Sequence, residues 1–308
     1  MANSILFQNL EKQTYARREA FNSLRTNLQF CGVDNKVIMF TSCTPDEGKS
    51  TVTMELARSL NDDGKKVVLV DADLRKSVFV GRYRIHSEET LFGLSHYLSG
   101  QKKMDEVINH TNIENLDMII AGPVAPNPTE LLGRELFVNL LAALKERYDV
   151  VLVDCPPLGW VIDAAVVAPN CDGVVLVVES GAISYRYLQD VKKQLEVTGV
   201  NILGVVLNKV KVEGGGYYNR YYSGHYKGYY NKYGKYGYGR YGKYGKYGEY
   251  GQYGQYGEEP TEPLEDVAAS SGDTADTAEN PGGGGITDNK KTIDFDHLYQ
   301  TVRKENKR

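Results

Sequence analysis

Met39-Phe40-Thr41-Ser42-Cys43-Thr44-Pro45-Asp46-Glu47-Gly48-Lys49-Ser50-Thr51 is the stretch that decides the fold. The apolar run Val37 to Thr41 reads as a strand, and Ser50 to Leu60 reads as a helix. A Gly-Lys-Ser/Thr step between strand and helix is the context a phosphate-binding loop requires. Backbone N–H groups at a helix start surround a polyphosphate, and the helix dipole favours its charge. Thr44, Pro45, Asp46, Glu47, Gly48, Lys49, Ser50 and Thr51 are therefore expected to line a nucleotide site. Lys49 would reach the β- and γ-phosphates, Ser50 would bind Mg²⁺ and Thr51 would touch the α-phosphate. Cys43 stands where the pattern usually has its first glycine, while Gly48 keeps the place where backbone must approach phosphate closely.

Outward from this loop, strands and helices alternate. Asp62-Asp63-Gly64 turns the chain into strand Val67 to Val70. Strand Leu116 to Ile120, a helix near Glu130 to Arg147, strands Val150 to Val153 and Val174 to Val178, a helix from Ser184 to Thr198 and strand Ile202 to Leu207 follow. Continuous Val/Ile/Leu runs indicate strands covered on both faces, so the expected fold is α/β, a mostly parallel sheet with helices on both faces. The first thirty residues read as an amphipathic helix, with Ala20, Phe21, Leu24 and Leu28 at helical spacing.

Two further strands end in acid. Val67-Val68-Leu69-Val70-Asp71-Ala72-Asp73-Leu74-Arg75 places two carboxylates at a strand's C-terminal end, where ligands bind in open α/β sheets. Tyr148-Asp149-Val150-Val151-Leu152-Val153-Asp154 ends likewise, and Asp154 can hold Mg²⁺ directly or through water. A lone aspartate there is often only a helix cap, but three on the sheet edge of a phosphate loop form a candidate catalytic set.

The chain has 308 residues, of which 41% are hydrophobic, enough for one sizeable core plus an appendage. Composition divides it into a helical segment 1–30, a core domain 31–212, a tyrosine-rich segment 213–257 and an acidic, Gly-rich stretch with a basic end, 258–308. From Tyr233 to Gly257 the sequence repeats every three residues as Tyr-Gly-Lys, Tyr-Gly-Glu and Tyr-Gly-Gln, which matches neither a helix nor a strand, so disorder is expected. The net charge of -4 conceals a basic start to this region and an acidic continuation, which argues against a nucleic-acid surface. Cys31, Cys43, Cys155 and Cys171 lack zinc-site spacing and read as reduced thiols in a cytosolic protein. No run reaches the roughly 18 apolar residues that span a bilayer.

Taken together, the Gly48-Lys49-Ser50 loop, the Asp71-x-Asp73-x-Arg75 box, Asp154 and the segment Gly122-Pro123-Val124-Ala125-Pro126-Asn127-Pro128-Thr129-Glu130-Leu131-Leu132 resemble the bacterial tyrosine kinases, P-loop enzymes with a C-terminal tyrosine cluster. The resemblance implies an ATP- and Mg²⁺-dependent protein-tyrosine kinase that phosphorylates its own or a neighbour's tail. Asp73 and Asp154 would position the metal, and Asp71 would accept or orient the phenol's proton. Arg75 would sit near phosphate or stabilise Asp73, and Asn208 would lie at the adenine-reading position. Sixteen of the 23 tyrosines become candidate acceptors: Tyr217, Tyr218, Tyr221, Tyr222, Tyr226, Tyr229, Tyr230, Tyr233, Tyr236, Tyr238, Tyr241, Tyr244, Tyr247, Tyr250, Tyr253 and Tyr256. Glu19 and Arg25 match a helical oligomerisation motif whose middle arginine is Asn22 here, implying a homo-oligomeric ring. The resemblance further implies a membrane-embedded activator of the chain-length-determinant kind, a peripheral location in the cytoplasm, an opposing tyrosine phosphatase and a role in capsule or exopolysaccharide synthesis. A ParA/MinD-like positioning ATPase would share the fold, but it needs a lysine where Thr44 stands and no tyrosine cluster.

Overall fold

A computed structural model describes residues 3–32 and 34–210; the 16 candidate acceptor tyrosines and segments 213–257 and 258–308 lie outside the described residues. The elements run β1 (Asn3–Phe7), α1 (Tyr15–Phe30), β2 (Val37–Ser42), α2 (Lys49–Asp62), β3 (Val67–Asp71), α3 (Phe79–Arg82), β4 (Ile85–His86), α4 (Leu94–Leu98) and α5 (Met104–Val107). They continue with β5 (Asn109–Thr111), β6 (Leu116–Ile119), α6 (Pro128–Leu132), α7 (Glu135–Arg147), β7 (Val150–Asp154), α8 (Asp163–Val167), β8 (Gly173–Glu179), α9 (Tyr185–Val197) and β9 (Ile202–Asn208).

Successive side chains of the central strands enter two hydrophobic clusters, one on each face of the sheet. Val37 and Met39 of β2, Val68 and Val70 of β3, and Val151 and Val153 of β7 join helices α6 to α9 in one cluster. Ile38 and Phe40, Val67 and Leu69, and Leu152 join α2 and α3 in the other. Burial on both faces explains why these strands are apolar throughout rather than alternating.

The strand order is β4-β1-β5-β6-β3-β7-β2-β8-β9. From β6 to β9 every neighbouring pair is parallel, as expected. The flank departs from that expectation, because β5 runs antiparallel to β6 and β4 antiparallel to β1. The first thirty residues also differ from the single helix read from the sequence. Ile5 and Phe7 are buried while Ser4 and Leu6 are exposed, a period of two that makes residues 3–7 a strand. The helix begins only at Tyr15, where the Thr14 side chain accepts the Arg17 N–H. The expected helix 130–147 is two helices: α6 closes at Gly133, and Arg134 is extended (φ -74°, ψ 151°) before α7 starts. No helix among the described residues is long and apolar enough to cross a membrane.

Candidate active site

β3, β7 and β2 are adjacent, so their C-terminal ends bring the phosphate loop and both acidic strand ends to one edge of the sheet. At the loop, Gly48 has φ 89°, and a Cβ there would lie 2.1 Å from Asn208 Nδ2. Conformation and close packing both require glycine at this point. The same Asn208 amide donates to the Glu47 carbonyl at 2.9 Å, so the end of β9 braces the loop from behind. Glu47 is 1% exposed and works as a second brace. Its carboxylate accepts the Thr44 N–H at 2.7 Å and the Glu179 N–H at 3.3 Å, joining loop and β8. Asp46 is exposed at φ 63°, and its carbonyl accepts from Lys209 Nζ at 2.6 Å.

At the head of α2, the Ser50 hydroxyl donates to Asp154 Oδ2 at 2.6 Å, and Thr53 Oγ1 lies 3.5 Å from Asp154 Oδ1. Lys49 Nζ reaches Asp73 Oδ2 at 3.5 Å. Asp71 is fully buried; it accepts from the Ser77 hydroxyl and from the Asp73 N–H at 3.2 Å. The Lys76 N–H in turn fixes Asp73 Oδ1 at 2.9 Å. Lys49, Ser50, Asp71, Asp73 and Asp154 thus converge as the sequence suggests.

Electrostatics separate the two buried strand-end acids. Burial, with the Asp154 charge alongside, pushes the Asp71 carboxyl up to about 8, against the opposing hydrogen bond from Ser77. Burial also raises Asp154, but Lys49 and Ser50 hold it to about 6. Desolvation works to lower the Lys49 ammonium, and the three carboxylates outweigh it, so its pKa rises. With Asp71 largely protonated near neutral pH, one ammonium faces the carboxyl groups of Asp73 and Asp154, and negative charge beyond that of Lys49 sits on hard oxygen donors beside the Ser50 hydroxyl. That donor chemistry fits a divalent cation such as Mg²⁺. Among the described residues no cluster of three or more His, Cys, Asp or Glu makes a self-contained metal cage.

Arg75, expected near phosphate or as a stabiliser of Asp73, lies within the field of Asp73 and is bonded to a second acid. Its guanidinium grips Asp163 with two bonds, Nε to Oδ2 at 2.6 Å and one Nη to Oδ1 at 3.0 Å, and donates to Thr129 Oγ1 at 3.0 Å. Arg25 is engaged within its own chain, by the Ser59 carbonyl and by Asp63 at 3.6 Å, while Glu19 is exposed and accepts from Asn22 at 3.2 Å. Thr51 Oγ1 accepts from Arg82. Asp163, Ser77 and Arg82 had no signal in the sequence, since each is recognised only by a partner distant along the chain or outside any motif. Cys43 beside the loop is buried, which pushes its thiol up to about 12, with Glu47 adding to the rise; it is inert near neutral pH.

Residues 35–200 match the family of AAA domains. Tyrosine-protein kinase CpsD of Streptococcus agalactiae is 42% identical over 199 residues, which span 65% of this chain and 86% of that protein. The protein of the same name from Streptococcus pneumoniae is 42% identical over 194 residues, spanning 63% and 85%. Among solved structures, the kinase domain of the Escherichia coli tyrosine kinase ETK matches with a TM-score of 0.58 at 35% identity, over 64% of this chain and 79% of that one.

Proposed function

The chain belongs to the family of the tyrosine-protein kinases CpsD and ETK, and from that premise we propose that its Lys49 cluster transfers the γ-phosphate of ATP to tyrosines 217–256 of its own or a neighbouring chain. It is an ATP-dependent tyrosine kinase; the acceptors and the residue roles are our reading.

One juxtaposition carries it. Asp71, buried and raised to about 8, lies beside Asp154 and Asp73 and within the field of Lys49. A carboxylate whose proton affinity is lifted toward neutrality is suited to take a proton from a phenol with an ordinary pKa near 10 as the oxygen attacks. Phosphoryl transfer otherwise asks for positioning and neutralised charge. Lys49 supplies a cation for the phosphates, and the backbone N–H groups from Asp46 to Thr51 supply donors around them. Ser50, Asp154 and Asp73 would hold Mg²⁺, which when bound neutralises charge on the transferring group. Asn208, already against the loop, would meet the adenine.

The remaining parts of the proposal concern assembly. Glu19 and Arg25 would contribute to a ring, with Arg25 exchanging its contacts on α2 for a neighbour. A membrane-embedded activator would bring the chain to the membrane surface. Each phosphotyrosine adds about -1.5 to -2 charges, so successive transfers turn the basic start of the tail acidic and loosen the oligomer until a phosphatase resets it. The output would be control of capsule or exopolysaccharide synthesis and export.

Incubation of the chain and its activator with labelled ATP and Mg²⁺ tests the reading. Alkali-stable label on residues 217–256, absent from Lys49→Met, is expected. Release of free phosphate with no label on tyrosine would instead assign the site to a positioning ATPase.

A further inference from the structure

We propose that Asp163 is a positioning residue that, through Arg75 and Thr129, holds the loop 72–77 so that Asp71 and Asp73 face the phosphate loop. The inference rests on the kinase reading and supplies a role for the Pro126-Asn127-Pro128-Thr129 segment, which that reading leaves unused.

Asp163 opens α8, just beyond the end of β7, and its side chain is wholly buried. Both carboxylate oxygens are taken. Oδ2 accepts Arg75 Nε at 2.6 Å, and Oδ1 accepts an Arg75 Nη at 3.0 Å and Thr129 Oγ1 at 2.5 Å. Arg75 is the one cation paired with it among the described residues. A wholly buried carboxylate gripped by a planar guanidinium and a hydroxyl is held in that geometry, because losing the partly exposed Arg75 would leave Asp163 as an unpaired buried charge.

The grip ties together three segments that the sequence separates. They are the loop after β3, the first turn of α6, and the start of α8. The Arg75 loop carries the groups that orient the catalytic acids, namely the Asp73 and Lys76 N–H groups and the Ser77 hydroxyl. Two backbone bonds hold this loop as well, Ala72 N–H to the Asp154 carbonyl at 2.9 Å and Ala125 N–H to the Leu74 carbonyl at 3.4 Å. Those bonds anchor the first half of the loop. The second half, where Lys76 and Ser77 lie, is fixed next to the Arg75 side chain. Losing the grip should therefore leave the fold and the phosphate loop in place while the acids lose their orientation.

The test is a double-mutant cycle in the full chain with its activator, measured at varied MgATP and accompanied by nucleotide affinity and melting temperature. Wild-type labelling of the tail under the same conditions secures the kinase reading first, so a loss confined to the variants concerns the grip alone. Asp163→Asn should lower kcat about tenfold or more, with KM for MgATP changed less than about threefold. Arg75→Gln should do the same. Asp163→Asn added to Arg75→Gln should cost no further activity and should recover melting temperature, because the stranded carboxylate is gone. Thr129→Val removes one hydroxyl at constant shape and gives a milder kcat loss should Asp163→Asn fold poorly. Multiplying kcat losses in the double variant, or a loss that resides in KM and melting temperature with kcat intact, would overturn the proposal.

Discussion

β3 and β7 carry the same five residues, Val-Val-Leu-Val-Asp, and lie side by side in register from Val67 opposite Val150 to Asp71 opposite Asp154. Their backbones, their burial and their terminal acids are alike. Their surroundings beyond the last residue differ. Asp154 meets the head of α2, where Ser50 donates to it and Lys49 lies close, and it is raised only to about 6. Asp71 meets its own returning loop, where Ser77 and the Asp73 N–H donate, and it is raised to about 8. Identical strands thus deliver two carboxylates a strand apart, one near a cation and suited to a metal ion, the other suited to a proton. Strand sequence sets the location of an acid, while the loops that return over it set its chemistry.

Exchanging the acids should separate the roles most sharply. Asp71→Asn should cut transfer by about 10²- to 10⁴-fold, the span of a lost general base, while nucleotide affinity stays within a few-fold. Asp154→Asn should reduce transfer and Mg²⁺-dependent nucleotide affinity together. Equal effects on both quantities from both variants would dissolve the distinction. The hydroxyl partners come next. Ser50→Ala should weaken transfer by about tenfold or more through metal and phosphate, and Ser77→Ala by less, since only the orientation of Asp71 is lost. Initial-rate kinetics of tail labelling measures both, and a larger loss from Ser77→Ala would reverse the assignment.

A smaller effect concerns stability without ligands. Both acids bind protons more tightly folded than unfolded, so each stabilises the fold below its unfolded pKa near 4, and that contribution fades as pH rises through its folded value. For Asp71 the decline continues to about 8, and for Asp154 it ends near 6. Asp71→Asn should therefore melt several degrees above wild type near pH 9, an advantage that shrinks as pH falls and vanishes below about pH 4. Asp154→Asn should flatten only the part of the profile below about pH 6. Melting curves across this range decide it, and parallel profiles for wild type and Asp71→Asn would contradict the buried-acid picture.

The same contrast explains how far the sequence could be read. The six parallel strands and their order of appearance follow from runs dominated by apolar residues, and the phosphate loop and three aspartates follow from strand-end chemistry. β1 escapes because Ile5 and Phe7 give only one period of alternation, and β5 because Asn109-His110-Thr111 has no apolar pattern at all. The split between α6 and α7 turns on one extended residue, Arg134, inside an otherwise helical composition. The hidden parts of the site are side chains whose partners are far away in sequence: Asp163 is 88 residues from Arg75, and Glu47 is 132 from Glu179. No local period encodes such pairings, so Arg75 reads in sequence as a group near phosphate or Asp73, and its grip on Asp163 emerges only in the fold.

Whether the Lys49 cluster phosphorylates the tyrosine-rich segment is decided in a mixture. A full-length Lys49→Met chain is combined with an otherwise wild-type chain ending at Val212, in the presence of activator, Mg²⁺ and labelled ATP, and the tyrosines of the longer chain are mapped. Label is expected on residues 217–256 of the Lys49→Met chain, placed there by its shorter neighbour. If that segment stays unlabelled in the mixture and in the wild-type chain alike, the tyrosine-rich segment is not a substrate of the Lys49 cluster.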